Sequence, residues 1–317
     1  MKLFGALAVA LSLVGRHGTL VAAASIFVGL AVPELAAAGK PYLGEAIVVI
    51  LTLAFLRVDP EELLRHFTQP ALTAAATVWA MLLVPVVLGI GFLAVGLNQR
   101  MPDLYFMLVL QMCAPGLMSS PALAALLGLD VALTLATLIV STAITPLSAS
   151  LFTHFFLGTA LASPLGFGLR LFLIIAGCAL AGAIIRRVAG GAFIEAQHER
   201  IDGLSVVAMS MFAVAAMDGV ANHFRANPLL VIELTALAFA LALGMIAVTA
   251  LVFQRVGRAR AFAIGLIAGN RNIGLMLVAT GFAVPDTAWL YFALAQFPIY
   301  LLPQLLKPLA RRLAAKH

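Results

Sequence analysis

Apolar residues fall into ten long blocks, at about residues 18–36, 41–56, 69–97, 104–127, 130–157, 163–188, 201–222, 227–254, 258–282 and 286–306. Charged residues or Gly/Pro connectors separate them. Within a block the hydrophobic side chains are continuous and do not alternate, which fits helices and not barrel strands. About 20 apolar residues cross a bilayer as helix. The pattern predicts an all-α polytopic membrane protein with ten transmembrane helices. A shorter run, "MKLFGALAVALSLVG", precedes the first block and follows Lys2. Arg16 and His17 end it without a small-residue cleavage site, so residues 1–17 read as a cytoplasmic or interfacial segment that stays attached.

Charge orients the blocks. Of 19 basic residues, one set of connectors and the termini hold Lys2, Arg16, Arg57, Arg65, Arg186, Arg187, Arg200, Arg255, Arg258, Arg260, Lys307, Arg311, Arg312 and Lys316. The opposite set holds Lys40, Arg100 and Arg225, while Arg170 and Arg271 fall within blocks. By the positive-inside rule, both termini are expected in the cytoplasm, in a multi-pass protein of the cell inner membrane. Composition agrees: 63% of residues are hydrophobic, 10% are charged and mean hydropathy is +1.11. The net charge of +6 follows from the loop bias and implies no nucleic-acid partner. Cys113 and Cys178 lie inside apolar runs, where they read as packing residues and not as a disulfide or metal site.

The connector "LGTALASP" divides the blocks five and five, giving repeats over 18–157 and 163–313. An odd number of crossings per half inserts the second half inverted. Inverted repeats mark secondary transporters, whose sites lie where corresponding helices of the two halves are interrupted. The fourth block of the first half contains "QMCAPGLMSSPALAALLG", with Pro115, Gly116 and Pro121; its counterpart contains "GLIAGNRNIGLML", with Gly265, Gly269 and Gly274. Proline removes a backbone donor and glycine weakens helix continuity, so both stretches are expected to break. Half-helix amino termini would then suit an anion and carbonyl ends a cation.

Four short motifs, "APG", "SSP", "DVALT" and "STAITPL", lie in order between Cys113 and Leu147, and "GNRNIGL" follows at Gly269–Leu275. In sequence and spacing they resemble the bile acid:sodium symporter family, and with the ten blocks the resemblance extends from about His17 to Leu309. It implies a panel domain, here about 18–56 and 163–222, and a core domain, about 69–157 and 227–306, with two broken helices crossing in the core. It also implies transport of organic anions in the cleft between the domains, usually with sodium.

Carried over residue by residue, the family's ion site is only partly kept. Ser120 and Thr134 match hydroxyl positions, whereas Pro121, Leu138, Ile267 and Arg271 stand where the family has sodium-site residues. Of its "GMQN" motif the asparagine remains, as Asn272. Sodium needs oxygen donors, and Ile267 with Arg271 reverses that environment. Arg271 could replace the sodium charge at the carbonyl ends, hold a substrate carboxylate with its fork, or be a structural arginine satisfied by backbone carbonyls. Ser119, Ser120, Asn270, Arg271 and Asn272 are expected to line the substrate site.

Other polar residues have local readings. Asp130 reads as a helix amino-terminal residue. Asp218 reads as interfacial, and Arg170 and His154 as side chains near helix ends. Gln111, Gln296 and Gln304 can bond between helices. No zinc-protease, P-loop or dinucleotide motif is present, so the expectation is a carrier and not an enzyme. It would have no cofactor other than an eventual sodium ion, no metal site, a small organic anion and the lipid bilayer as partners, and no obligate protein partner. Two alternatives stay open: a proton-linked or auxin-efflux-like exporter, and a membrane sensor or binding scaffold with a transporter fold.

Overall fold

The computed structural model describes residues 11, 15, 18–59, 69–158, 161 and 163–314. Apart from Leu11 and Gly15, the attached amino-terminal segment expected over 1–17 lies outside them. The chain is 87% helical. Among the described residues six helices are long and apolar enough to cross a membrane: Pro33–Leu56, Pro70–Ala94, Val131–Leu157, Pro164–Ala189, His198–Ala226 and Pro228–Val252.

In chain order the α-helices are α1 (Gly18–Ala31), α2 (Pro33–Gly39), α3 (Leu43–Leu56), α4 (Pro70–Val78), α5 (Val84–Ala94), α6 (Leu97–Arg100), α7 (Pro102–Cys113) and α8 (Ser120–Leu127). They continue with α9 (Val131–Leu157), α10 (Pro164–Ala189), α11 (Gly191–Ala196), α12 (His198–Ala216) and α13 (Val220–Ala226). The last are α14 (Pro228–Val252), α15 (Arg258–Gly269), α16 (Ile273–Thr280), α17 (Asp286–Leu305) and α18 (Lys307–Ala314).

Starts are written in the sequence. Proline opens α2, α4, α7, α10 and α14, where its missing N–H costs nothing. Asp130, Ser163, Asn227 and Asn272 cap α9, α10, α14 and α16 by accepting from backbone N–H groups. One expected boundary moves. The block drawn over 18–36 ends at Ala31, because Pro33 pushes Val32 out of helical geometry (φ −126°, ψ 77°). The expected connector before residue 41 is instead a single 3-10 turn, Lys40–Tyr42, that carries α2 into α3.

Helices α1, α3, α10 and α12 pack on one another through the α1–α12, α3–α10 and α3–α12 contacts. Elsewhere α14 lies along α15 and α17, α7 packs on α9 and α17, and α9 touches α4 and α15. The α9–α10, α10–α16 and α1–α17 contacts join the two sets. The main apolar core spans both, from Ile26 and Leu51 to Phe212, Leu275 and Phe292.

The two interrupted stretches have the same plan. A 12-residue helix, α7 or α15, runs into a break, and an 8-residue helix, α8 or α16, follows. Each short helix ends at a left-handed glycine, Gly128 (φ 70°) or Gly281 (φ 68°), a geometry that L side chains resist.

Candidate functional site at the helix crossing

The breaks are narrower than the glycines and prolines suggest. Between α7 and α8 the non-helical residues are Ala114–Ser119, so Pro115 and Gly116 lie in the break, while Pro121 sits in the first turn of α8. Between α15 and α16 they are Asn270–Asn272. Gly269 ends α15, and Gly265 and Gly274 lie inside helices. These glycines serve close packing. A Cβ on Gly265 would lie 2.8 Å from the Ile246 carbonyl oxygen, one on Gly269 2.7 Å from that of Ala242, and one on Gly274 3.1 Å from Phe212.

The breaks meet. Gly116 and Arg271 form an antiparallel bridge, flanked by Leu117 N–H donating to Asn270 O and Asn272 N–H donating to Pro115 O, each at 2.9 Å. Two short extended segments thus give each other the backbone partners that a helix would have supplied, as an apolar environment requires.

Arg271 is 3% exposed, and its guanidinium is spent on backbone carbonyls. Nε donates to Ala268 O at 2.8 Å, Nη1 to Ala114 O at 2.8 Å and Nη2 to Ala80 O at 3.0 Å. Ala268 belongs to the last turn of α15 and Ala114 caps α7, so two negative helix ends converge on one fixed cation. The third partner has its own cause. Residues Trp79–Leu83 between α4 and α5 form a π-helical turn, in which Val84 N–H reaches Trp79 O. The next bond of that register would run from residue 85 to Ala80 O, but residue 85 is proline and has no N–H. Arg271 supplies the missing donor. Neither the π turn nor Ala80 was visible from the apolar pattern of residues 69–97; Pro85, in the middle of that block, was the available signal.

The positions that the resemblance associates with sodium also gather here. A Cβ on Gly116 would meet Ile267 Cγ2 at 2.6 Å and Leu138 Cδ1 at 3.4 Å, on the residue that bridges to Arg271. Ile267 and Leu138 are buried and offer no oxygen. The Thr134 hydroxyl donates to Asp130 O at 2.7 Å within its own helix. Ser120 Oγ is buried and has no hydrogen-bond partner among the described residues. Side chains around Gly116 therefore provide a guanidinium and hydrocarbon, a poor surrounding for a second cation.

A cavity starts at the crossing. Leu117, Met118, Ser119, Arg271, Asn272 and Gln296 border its inner part, with apolar walls from α3, α12 and α17. Through Leu117, Ser119, Met209, Ile299 and Tyr300 it continues into a wider chamber that reaches Arg57 and Asp202. Of the five expected substrate residues, Ser119, Arg271 and Asn272 border this passage. Ser120 and Asn270 do not: both are buried behind it, and the Asn270 amide makes no side-chain hydrogen bond among the described residues. The Asn272 carboxamide is occupied in capping α16, accepting from Leu275 N–H at 3.2 Å. Gln296, expected only to bond between helices, borders the cavity while its amide nitrogen donates to Phe292 O at 3.0 Å.

The two ends of the molecule differ. In the chamber lining Arg57 pairs with Asp202, which joins α3 to α12. At the far end Lys40 pairs with Asp218 at 2.8 Å and lies 4.4 Å from the centre of the Trp289 ring, whose Nε1 donates to Asp218 O at 3.0 Å. His223 and Asp286 add a contact at 3.2 Å. This cluster ties α12 and the turn before α3 to α17. Asp218 is thus a packing and pairing residue at a helix end, and Asp130 caps α9 through Leu133 N–H at 2.9 Å while meeting Arg260 at 3.3 Å. Arg170 and His154 are exposed near helix ends, and the Gln111 Oε1 atom is buried.

No protein-family model matches the chain, and no curated protein matches its sequence.

Proposed function

We propose that the chain is a secondary transporter that moves a small or medium organic anion by alternating access, without a requirement for sodium. Its elements would form two inverted five-helix repeats, with α1, α3, α10 and α12 as a panel and the remaining long helices as a core. It would sit in the cell inner membrane with the Arg57 end and both termini cytoplasmic. The observation that carries the reading is the crossing of two broken helices at Arg271, directly beside a cavity that runs on between α3, α12 and α17 towards Arg57 and Asp202.

The carbonyl partners of Arg271 favour charge substitution over direct capture of substrate. Its Nε and both terminal nitrogens each have a backbone acceptor. Withdrawing them for a ligand would leave buried carbonyls unpaired, at about 1–3 kcal/mol each. A permanent cation at converging carbonyl ends performs the electrostatic task that a bound sodium ion would, so no ion gradient need be consumed there. With Arg271 occupied and Arg57 paired to Asp202, no spare fixed cation remains among the described residues that line the cavity. A monoanion with an apolar body, held by neutral donors, suits it better than a dianion.

Substrates are found by a thermal-shift screen of carboxylates and sulfonates with and without sodium, since ligands of the folded state raise its stability. Uptake of the hits into proteoliposomes is then measured in sodium and in potassium. Rates within about twofold of each other are expected, which is less than 0.5 kcal/mol of coupling. A steep sodium requirement would overturn sodium independence; binding without uptake of any hit would overturn transport and favour a sensor.

A further inference from the structure

We infer that α18 and the start of α15 form a docking surface for anionic phospholipid headgroups, and that lipid held there braces the two half-helices of the crossing. The inference needs only that α14 crosses the bilayer and does not rest on the transport reading. Basic residues gather at this end of the molecule. Arg255 lies in the 3-10 turn Gln254–Val256 that follows α14, Arg258 opens α15, and Lys307 and Arg312 belong to α18. Arg255, Arg258 and Arg312 are exposed, and among the described residues none of the four has a carboxylate partner. Arg260 differs, being paired with Asp130 at 3.3 Å. The chain has no Asp or Glu from Leu234 to Pro285, or after Asp286, so the elements that carry these cations hold nothing to neutralise them.

The surroundings of this charge identify its partner as lipid. Arg255 and Arg258 follow directly on Val252, where a helix able to cross the membrane ends. Cations just beyond a span stand at the height of the headgroups. Exposed Leu251 and Val252 close α14, and exposed Leu305 and Leu309 flank Lys307. Leucine beside arginine on a short amphipathic helix, "KPLARRLA", suits acyl chains below and phosphates above; a soluble polyanion would have no use for the leucines. The opposite side of α18 faces the protein. It packs on α8, α15 and α17, and Ala310, with no exposed surface, shares an apolar cluster with Leu127 of α8 and with Phe262 and Leu266 of α15. Helix α8 leaves the first break and α15 enters the second, so one helix seated on the lipid surface supports an arm of each.

The test uses the full chain purified in detergent, with phosphatidylglycerol and phosphatidylcholine of equal acyl chains. Thermal unfolding should rise by several degrees with phosphatidylglycerol and not with phosphatidylcholine, and the rise should shrink when salt goes from about 0.1 M to about 0.5 M. Apparent affinity for phosphatidylglycerol should fall about fivefold for each of Arg255, Arg258, Lys307 and Arg312 changed to Gln. Arg100→Gln, an exposed arginine elsewhere, should leave it unchanged. Leu305→Ser with Leu309→Ser, both at exposed positions, should weaken lipid binding as well. Heparin, a soluble polyanion, should not stabilise the chain comparably. Hydrogen exchange in α8 and α15 should slow when phosphatidylglycerol is added. Equal shifts with the two lipids, stabilisation by heparin as large as that by phosphatidylglycerol, or an affinity that survives the combined Gln variant would each overturn the lipid surface. Unchanged exchange in α8 and α15 would overturn the brace.

Discussion

The two breaks share a plan of a 12-residue helix followed by an 8-residue one, yet they hold opposite chemistry. The first break runs from Ala114 to Ser119 and is made by residues that cannot donate or cannot sustain a helix, Pro115 and Gly116. It contributes a carbonyl, Ala114 O, to the guanidinium. The second spans only Asn270–Asn272 and is made by polar side chains that replace helix bonds, Arg271 reaching carbonyls and Asn272 capping α16. Around the guanidinium, one break therefore accepts and the other donates. The crossing is a complementary pair and not a duplicated site, so the same substitution should have unequal effects on its two sides.

The largest effect is expected at Arg271. Arg271→Met leaves three buried carbonyls from three helices unpaired, and a loss on the order of 3–5 kcal/mol is expected. Thermal unfolding in detergent would register this as a collapse of folded yield; near-normal melting would contradict the convergence of helix ends on one cation. Arg271→Lys should recover only part, because an ammonium cannot reproduce a planar fork.

Next in size is Gly116→Ala. The added methyl would lie 2.6 Å from Ile267 Cγ2, an overpacking expected to cost about 1–3 kcal/mol. Combined with Ile267→Ala, it should cost less than the two single changes summed, and strict additivity would show that the two side chains do not meet.

A smaller difference separates the two short helices. Asn272→Ala removes a cap and should cost about 1 kcal/mol, whereas Ser119→Ala, at the corresponding position of α8, removes no capping hydrogen bond and should be close to neutral. Equal losses would erase the asymmetry.

Smallest alone is Pro85→Ala, expected within about 1 kcal/mol of the parent. Its value lies in combination. By restoring an N–H in the π-helical register it should soften the loss caused by Arg271→Met, since Ala80 O would regain a donor in its own helix.

Much of this arrangement was legible in the sequence because it is carried by side-chain identity. Pro115, Gly116 and the polar triplet Asn270, Arg271 and Asn272 locate both breaks, and Asp130 announces a cap. What could not be read is carried by backbone. Arg271 is answered by carbonyls, which every residue has, so no letter in the sequence marks Ala80, Ala114 or Ala268 as its partners. The π turn is hidden for the same reason. Glycines mislead where they suggest a helix break: Gly265 and Gly269 are small because α14 lies against them. The place of Ser120 and Asn270 in the chain suggests the cavity, but both are buried away from it.

The guanidinium bonds also set an order of assembly. Arg271 reaches Ala114 across 157 residues and Ala80 across 191, so the first half of the chain enters the membrane long before its carbonyls can be answered. Contacts of such separation form late, after their loops have closed. During synthesis the amino-terminal half should therefore remain an unfinished intermediate, open to degradation, and the arrival of one arginine should mark its commitment to the native state.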